Sequence, residues 1–231
     1  MRTKIQRMLT RSVSTLMLFT AVPLAYSNMN MIAIDNTLKT TQASVDDKSR
    51  LKDLLANYEN FQANFTQTIT DSNGDELQTA SGTILLVKPQ KLRWEVTFPE
   101  EALLIADGQT VFSIDPFLEQ VTLLEQDDLT NNNPLMLLTT NDESQWERVD
   151  VVFNNGYFVV NSKDDNAMIV SVTLKFDDNA SLTRLISEDR QQQTNTISFT
   201  LVEQNIVLPN DIFTYDVKPS WVIDDQRTIA Q

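Results

Sequence analysis

From residue 61 onward, apolar and polar positions alternate with a period of two. Phe61, Ala63, Phe65 and Ile69 alternate with Gln62, Asn64, Thr66, Thr68 and Thr70. Leu92, Trp94, Val96 and Phe98 alternate with Arg93, Glu95 and Thr97. Successive side chains of a strand point to opposite faces, so each run predicts a strand with one greasy and one wet side. The pattern returns late in the chain. Val170, Val172, Leu174 and Phe176 oppose Ser171, Thr173 and Lys175, and Ile197, Phe199 and Leu201 oppose Thr196, Ser198 and Thr200. Asn73-Gly74 marks a tight hairpin into a strand over 76–87. Further strands are predicted at 102–106, 110–115, 119–124, 147–153, 157–161 and 182–189. About ten or eleven antiparallel strands with short turns make a sandwich or a barrel-like sheet, and one-sided alternation fits a single sheet curled around an interior.

Two segments break the period. In 47–58, Leu51, Leu54, Leu55 and Tyr58 stand at i, i+3, i+4 and i+7, the narrow apolar stripe of a helix, with Asp46 or Asp47 as its cap. In 129–139, Asn133 suits an N-cap and Pro134 the first helical position. Leu135-Met136-Leu137-Leu138 then follow, apolar all round. A helix of that kind is normally buried; inside a sheet protein it is placed to cover the sheet's open end.

At the start of the chain, Arg2, Lys4, Arg7 and Arg11 precede an apolar stretch over 13–24, with small residues at Ala25 and Ser27. This predicts a secretory signal peptide over 1–27, the stretch being short against the ~20 residues a spanning helix needs. Residues 28–46 read as a flexible leader and 47–231 as a single domain. The signal takes four of the 18 basic residues and none of the 32 acidic ones, so the mature chain has a net charge of −18. That balance argues against nucleic acid, whose binding draws on Lys and Arg, and against adsorption to anionic lipid.

The chain has no histidine and no cysteine. Imidazole bases, thiolate nucleophiles, disulfides and His or Cys metal sites are therefore excluded. A lipid anchor on a cysteine is excluded as well. Asp71-Ser72-Asn73-Gly74-Asp75-Glu76 fails as a calcium loop, because an EF-hand needs glycine sixth and glutamate twelfth, where this chain has Glu76 and Gly82. The pairs Asp127-Asp128, Asp164-Asp165, Asp177-Asp178 and Asp224-Asp225 read as solvated turns. No enzyme, metal or cofactor is expected.

Residues 82–120 carry a Lys88-Pro89 step, then Leu92-Arg93-Trp94, an Asp107-Gly108 turn and a Pro116-Phe117-Leu118-Glu119-Gln120 corner. Leu54-Leu55-Ala56-Asn57-Tyr58 leads into Phe61–Gln67, Asn133-Pro134 opens the apolar helix, and Val222-Ile223-Asp224-Asp225-Gln226-Arg227 ends the run. In this order the motifs resemble the periplasmic carriers of outer-membrane lipoproteins over roughly residues 47–227.

The resemblance implies a mainly β fold with helices: an incomplete, open antiparallel barrel of about eleven strands with an α-helical lid. It also implies a periplasmic, monomeric chaperone that binds the acyl chains of triacylated lipoproteins. These would come from an inner-membrane ABC transporter and pass to an outer-membrane receptor. In the family, an arginine before the proline holds the lid to the sheet. Lys88 stands there in this chain, and lysine offers a point charge where arginine offers a planar fork.

Each buried methylene contributes ~0.8 kcal/mol, so a carrier of three acyl chains must bury them in part or oppose their burial. On this reading Leu51, Leu54, Leu55, Phe65, Trp94, Val96 and Phe98 line the lipid-binding cavity. Pro134, Leu135, Met136 and Leu138 form the lid, and Lys88 is its latch. The main alternative is an exported protein-binding sensor of envelope stress with a related fold. An outer-membrane receptor and a carbohydrate-binding sandwich are further rivals.

Overall fold

The computed structural model describes residues 45–126, 137–140 and 142–227. The predicted signal and leader, apart from residues 45 and 46, and the lid residues Pro134, Leu135 and Met136 lie outside the described residues. The described residues belong to one unit, Ala43–Gln231.

Twelve strands form a single sheet. In chain order they are β1 (Asn60–Thr70), β2 (Glu76–Val87), β3 (Lys91–Phe98), β4 (Ala102–Ala106), β5 (Thr110–Asp115) and β6 (Gln120–Glu125). After them come β7 (Val149–Asn154), β8 (Tyr157–Ser162), β9 (Ile169–Phe176), β10 (Leu182–Asp189), β11 (Thr194–Gln204) and β12 (Val222–Asp225). Their order across the sheet is β12-β6-β5-β4-β3-β2-β1-β11-β10-β9-β8-β7. The two outermost strands have one neighbour each, so the sheet is an incomplete barrel.

Hairpins account for most of this order, and their turn chemistry is visible in the sequence. At the β1–β2 tip Gly74 takes φ +86°, a left-handed value that glycine adopts without strain. Asp71 accepts the main-chain N–H groups of Asn73 and Asp75 at 2.8 and 2.9 Å. Those bonds, Asp75's first, hold its carboxyl below the usual range. The segment is a hairpin tip.

Three expectations need correction. β12 was not foreseen as a strand, and it runs parallel to β6 in an otherwise antiparallel sheet. Four residues without clean alternation give no period to read. The strand predicted from 147 begins at Val149, because Trp146 and Glu147 close a short helix over Glu143–Glu147. Asp142 caps that helix, accepting the Ser144 N–H at 2.9 Å. The first helix, α1 (Val45–Ala56), contains Asp46 and Asp47 inside its first turn, so neither is its cap. We call the helix over Glu143–Glu147 α2. No helix among the described residues is long and apolar enough to cross a membrane.

Strand register sorts the side chains into two faces. Phe61 pairs with Leu86, Ala63 with Ile84 and Phe65 with Gly82, while Ile84 pairs with Trp94 and Trp94 with Leu104. On the other side Phe65 pairs with Phe199, Ile197 with Leu185, Leu185 with Leu174 and Leu174 with Phe158. Directly paired residues share a face, so these belong to one surface. Helix α1 covers the β7–β8 part of it, since the Arg50 guanidinium lies 4.4 Å from the Phe153 ring centre and 5.5 Å from that of Phe158. We call this the inner face.

The outer face is not uniformly wet. Ile105, Ile114 and Val121 on β4, β5 and β6 form a second core there. The chain after β11 crosses it, placing Phe213, Tyr215, Val217 and Trp221 against these residues before β12 adds to the edge. Arg93 helps to fix this strap by donating to the Ile212 carbonyl at 3.3 Å.

Candidate functional site

The inner face is built from large apolar groups on the central strands. Phe65 and Trp94 have ring centres 4.2 Å apart, and Phe61 meets Phe199 edge-on at 5.4 Å. Such contacts add to the area that aromatic side chains bury. Gly82, opposite Phe65, lets β2 and β3 approach: a Cβ there would lie 1.8 Å from the Glu95 carbonyl oxygen.

Helix α1 brings its stripe to this face and is fixed at both ends. Near its start Lys48 donates to the Trp146 and Val149 carbonyls, each at 2.8 Å, while Asp47 accepts the Phe153 N–H at 3.0 Å. Lys52 pairs with Glu143 of α2 at 2.5 Å. At its end the Leu55 carbonyl accepts from Lys88. The Lys88 ammonium also lies 4.5 Å from the centre of the Tyr58 ring. Burial lowers its pKa, and the charge of Glu59 acts in the opposite direction.

Tyr58 links this corner to the segment 137–140. Its hydroxyl donates to the Leu138 carbonyl at 3.1 Å, and burial raises the phenol well above its ordinary value, so the proton stays in place to donate. Gln90, in the β2–β3 turn, donates its N–H to the Thr139 carbonyl at 3.2 Å. Gln126 braces that turn from the other side, donating to the Gln90 carbonyl at 2.6 Å and accepting the Gly108 N–H at 3.0 Å. Leu137, Leu138, Thr139 and Thr140 are all buried.

The predicted cavity residues thus divide. Leu51, Leu55, Phe65, Trp94 and Val96 are buried, and Leu54 is half-buried. Phe98 is 58% exposed: the β2–β3 register shifts between Ser81 and Gly82, so Phe98 pairs with Ser81, on the face away from Gly82 and Val96, and not with the inner-face row. Leu138 is buried among the described lid residues. Lys88 reaches the end of α1, and Tyr58 and Gln90 make the main-chain contacts to 137–140. Sequence reasoning gave Tyr58 only a place on the helical stripe and missed Gln90 and Gln126. For these two no signal existed: each is one amide among polar neighbours, and only folding brings the two turns together.

A half-barrel with an aromatic inner face, one helix clamped along it and a short buried segment pinned beside it defines the fold class. The chain belongs to the family described as "Outer membrane lipoprotein carrier protein LolA", whose model matches residues 56–216. It is similar to an outer-membrane lipoprotein carrier protein of Aeromonas salmonicida, 34% identical over 81% of this chain and 93% of that one. A relative of the same name from Shewanella sediminis is 35% identical over 80% of this chain and 88% of its own. Among solved structures, a LolA superfamily protein from Nitrosomonas europaea matches at 12% identity with a TM-score of 0.46, covering 75% of this chain and 98% of that chain.

Proposed function

We propose that this chain is a periplasmic chaperone that takes the acyl chains of outer-membrane lipoproteins onto its inner face and carries them between the two membranes. Family membership supports the cargo. The observation that carries the mechanism is the buried aromatic surface around Phe65 and Trp94, next to a segment to which Tyr58 and Gln90 make main-chain contacts. Leu51, Leu54, Leu55, Phe65, Trp94 and Val96 receive the chains. Pro134, Leu135, Met136 and Leu138 form the cover that yields to them, and Lys88 steadies the cover through α1 and Tyr58.

Acyl burial at ~0.8 kcal/mol per methylene is opposed by the contacts the cover gives up, which keeps the complex reversible. An inner-membrane ABC transporter supplies the lipoprotein and an outer-membrane receptor accepts it. The polypeptide itself supplies no energy for either step.

The test is release of triacylated lipoprotein from energised inner-membrane vesicles, with the purified mature chain as the only added soluble protein. A soluble one-to-one complex is expected. No release, beside a working control carrier, defeats the proposal. A Leu138→Glu variant that still releases lipoprotein normally removes Leu138 from the cover.

A further inference from the structure

The inner face changes character toward the end that holds the β1–β2 tip. Its rows can be followed by register. Leu86 pairs with Phe61, Ile84 with Ala63, and Gly82 with Phe65, which pairs in turn with Phe199. On β2 and β1 these rows are apolar. The next row reads Ala80–Gln67–Ile197–Leu185, and the one beyond it Gln78–Ile69–Asn195–Ser187. Four uncharged polar side chains, Gln78, Gln67, Asn195 and Ser187, therefore gather on β2, β1, β11 and β10, next to the rows of Phe65 and Phe199.

Two of them are as buried as core residues. Gln67 is 8% exposed and Ser187 3%. The Gln67 amide donates to the Asn195 side-chain oxygen at 3.0 Å, which fixes both side chains over the same surface. An interior amide or hydroxyl costs free energy unless it is hydrogen-bonded, and an apolar side chain would carry no such cost. The polar pair is therefore informative where it stands, with Gln67 one row and Asn195 two rows beyond Phe65.

We infer that Gln67, Asn195 and Ser187 form the seat for the ester and amide groups that join the ligand's acyl chains to its polypeptide. The inference rests on the acyl-chain reading proposed above and adds an orientation to it. The tails lie along the Phe61, Phe65 and Trp94 rows, and the linkage lies toward the β1–β2 end. The chemistry of the row matches a neutral linkage. Ester carbonyls need donors, which the amide N–H groups and the hydroxyl supply, and an amide N–H needs an acceptor, which Gln67, Asn195 and Ser187 also offer. Neither row contains a cation to pair with a phosphate. Arg190, in the β10–β11 turn, already donates to the Asp165 carbonyl. The seat thus favours ester- and amide-linked chains over anionic phospholipid headgroups, for which charge-assisted bonds would be required.

The experiment compares two synthetic probes on the full mature chain. One is a triacylated S-glyceryl-cysteine peptide with two ester-linked chains and one amide-linked chain. The other is its ether analogue, with the same hydrocarbon but neither ester carbonyl. The wild-type protein is expected to bind the ester probe about fivefold or more tightly than the ether probe, the worth of one ordinary hydrogen bond. Gln67→Met keeps the side-chain length without the amide and is expected to erase that preference, so that the variant binds the two probes equally.

Ser187→Ala, a small deletion, provides the same comparison if Gln67→Met unfolds. Equal wild-type affinity for both probes overturns the seat and leaves acyl binding standing. So do variants that keep the wild-type preference for the ester probe. Failure of the wild-type protein to bind either probe overturns the acyl-chain reading and the seat with it.

Discussion

Gly82 shows how much one side chain can decide. Its missing Cβ allows β2 and β3 to meet at Glu95, where a methyl group would sit 1.8 Å from a carbonyl oxygen. The obstacle is main chain, so the strands themselves would have to part. Gly82→Ala should lower the urea midpoint by an amount equivalent to about 2–4 kcal/mol, and an unchanged midpoint would show that the strands separate easily. Tyr58 has the opposite leverage. Tyr58→Phe removes the donor to Leu138 and loosens the segment 137–140 without touching the inner face. If that segment covers the acyl site, the closed state loses about 1 kcal/mol and apparent affinity for a triacylated lipopeptide rises about fivefold. Fluorescence titration reads the change directly, and weaker or equal binding would count against a cover.

At the scale of elements, the strap after β11 is a stabilising device on the face that carries no ligand in our proposal. Phe213 and Trp221 pack on Ile105, Ile114 and Val121, and Lys91 lies 5.5 Å from the Phe213 ring centre. Phe213→Ala should cost about 2–3 kcal/mol and expose apolar surface to a hydrophobic dye, while ester-probe binding per folded molecule stays as in the wild type. Lost binding at unchanged stability would instead tie the strap to the inner face. Strand periodicity made most elements legible, because each hairpin strand buries one side: the predicted strand over 182–189 matches β10, and that over 76–87 matches β2. β12 was not legible, since a four-residue strand joining in parallel after a strap has neither a hairpin turn nor a period. The outer-face cluster was hidden for a related reason. Ile105 and Ile114 lie on strands whose other side also carries apolar residues, Leu104 and Val111, and alternation cannot say what covers the second side.

An open sheet has two edges to protect, and this molecule protects β7 with α1. In β7 the Phe153 N–H and the Val149 carbonyl are engaged by Asp47 and Lys48 at 3.0 and 2.8 Å. Unpaired edge groups are templates for another strand. The double variant Asp47→Ala, Lys48→Ala should therefore self-associate at concentrations where the wild-type chain has the mass of one chain. Light scattering decides the matter, and a variant that stays monomeric at high concentration shows the edge to be guarded by something else.

The whole molecule should also be acid-sensitive. Asp225 is held at about 2 by the Arg227 side chain, Asp71 lies below 3.8 because of the Asp75 and Asn73 N–H groups, and Asp142 is lowered by Ser144. Each carboxyl binds its proton more readily in the unfolded chain. Its contribution is therefore complete above about pH 4 and is lost as pH falls toward 2. Urea midpoints at pH 5 and 2.5 should differ, and Asp225→Asn should shrink the difference.

The amino-acid sequence by itself determined the hairpin strands, the sides of those that alternate, the stripe on α1 and the order of motifs that marks the family. These follow from local rules, since period and turn chemistry act over a few neighbouring residues. It also put Leu51, Leu55, Phe65, Trp94 and Val96 among the residues that leave water, because their alternation requires a buried side. Tertiary structure alone decided which side is inner, that Phe98 slips out of the Trp94–Val96 register, that Lys88 meets the end of α1, and that Gln67, Asn195 and Ser187 gather on two adjacent rows of one face. Those facts depend on register between strands as far apart as β1 and β11, and a one-residue slip exchanges the two faces of a strand.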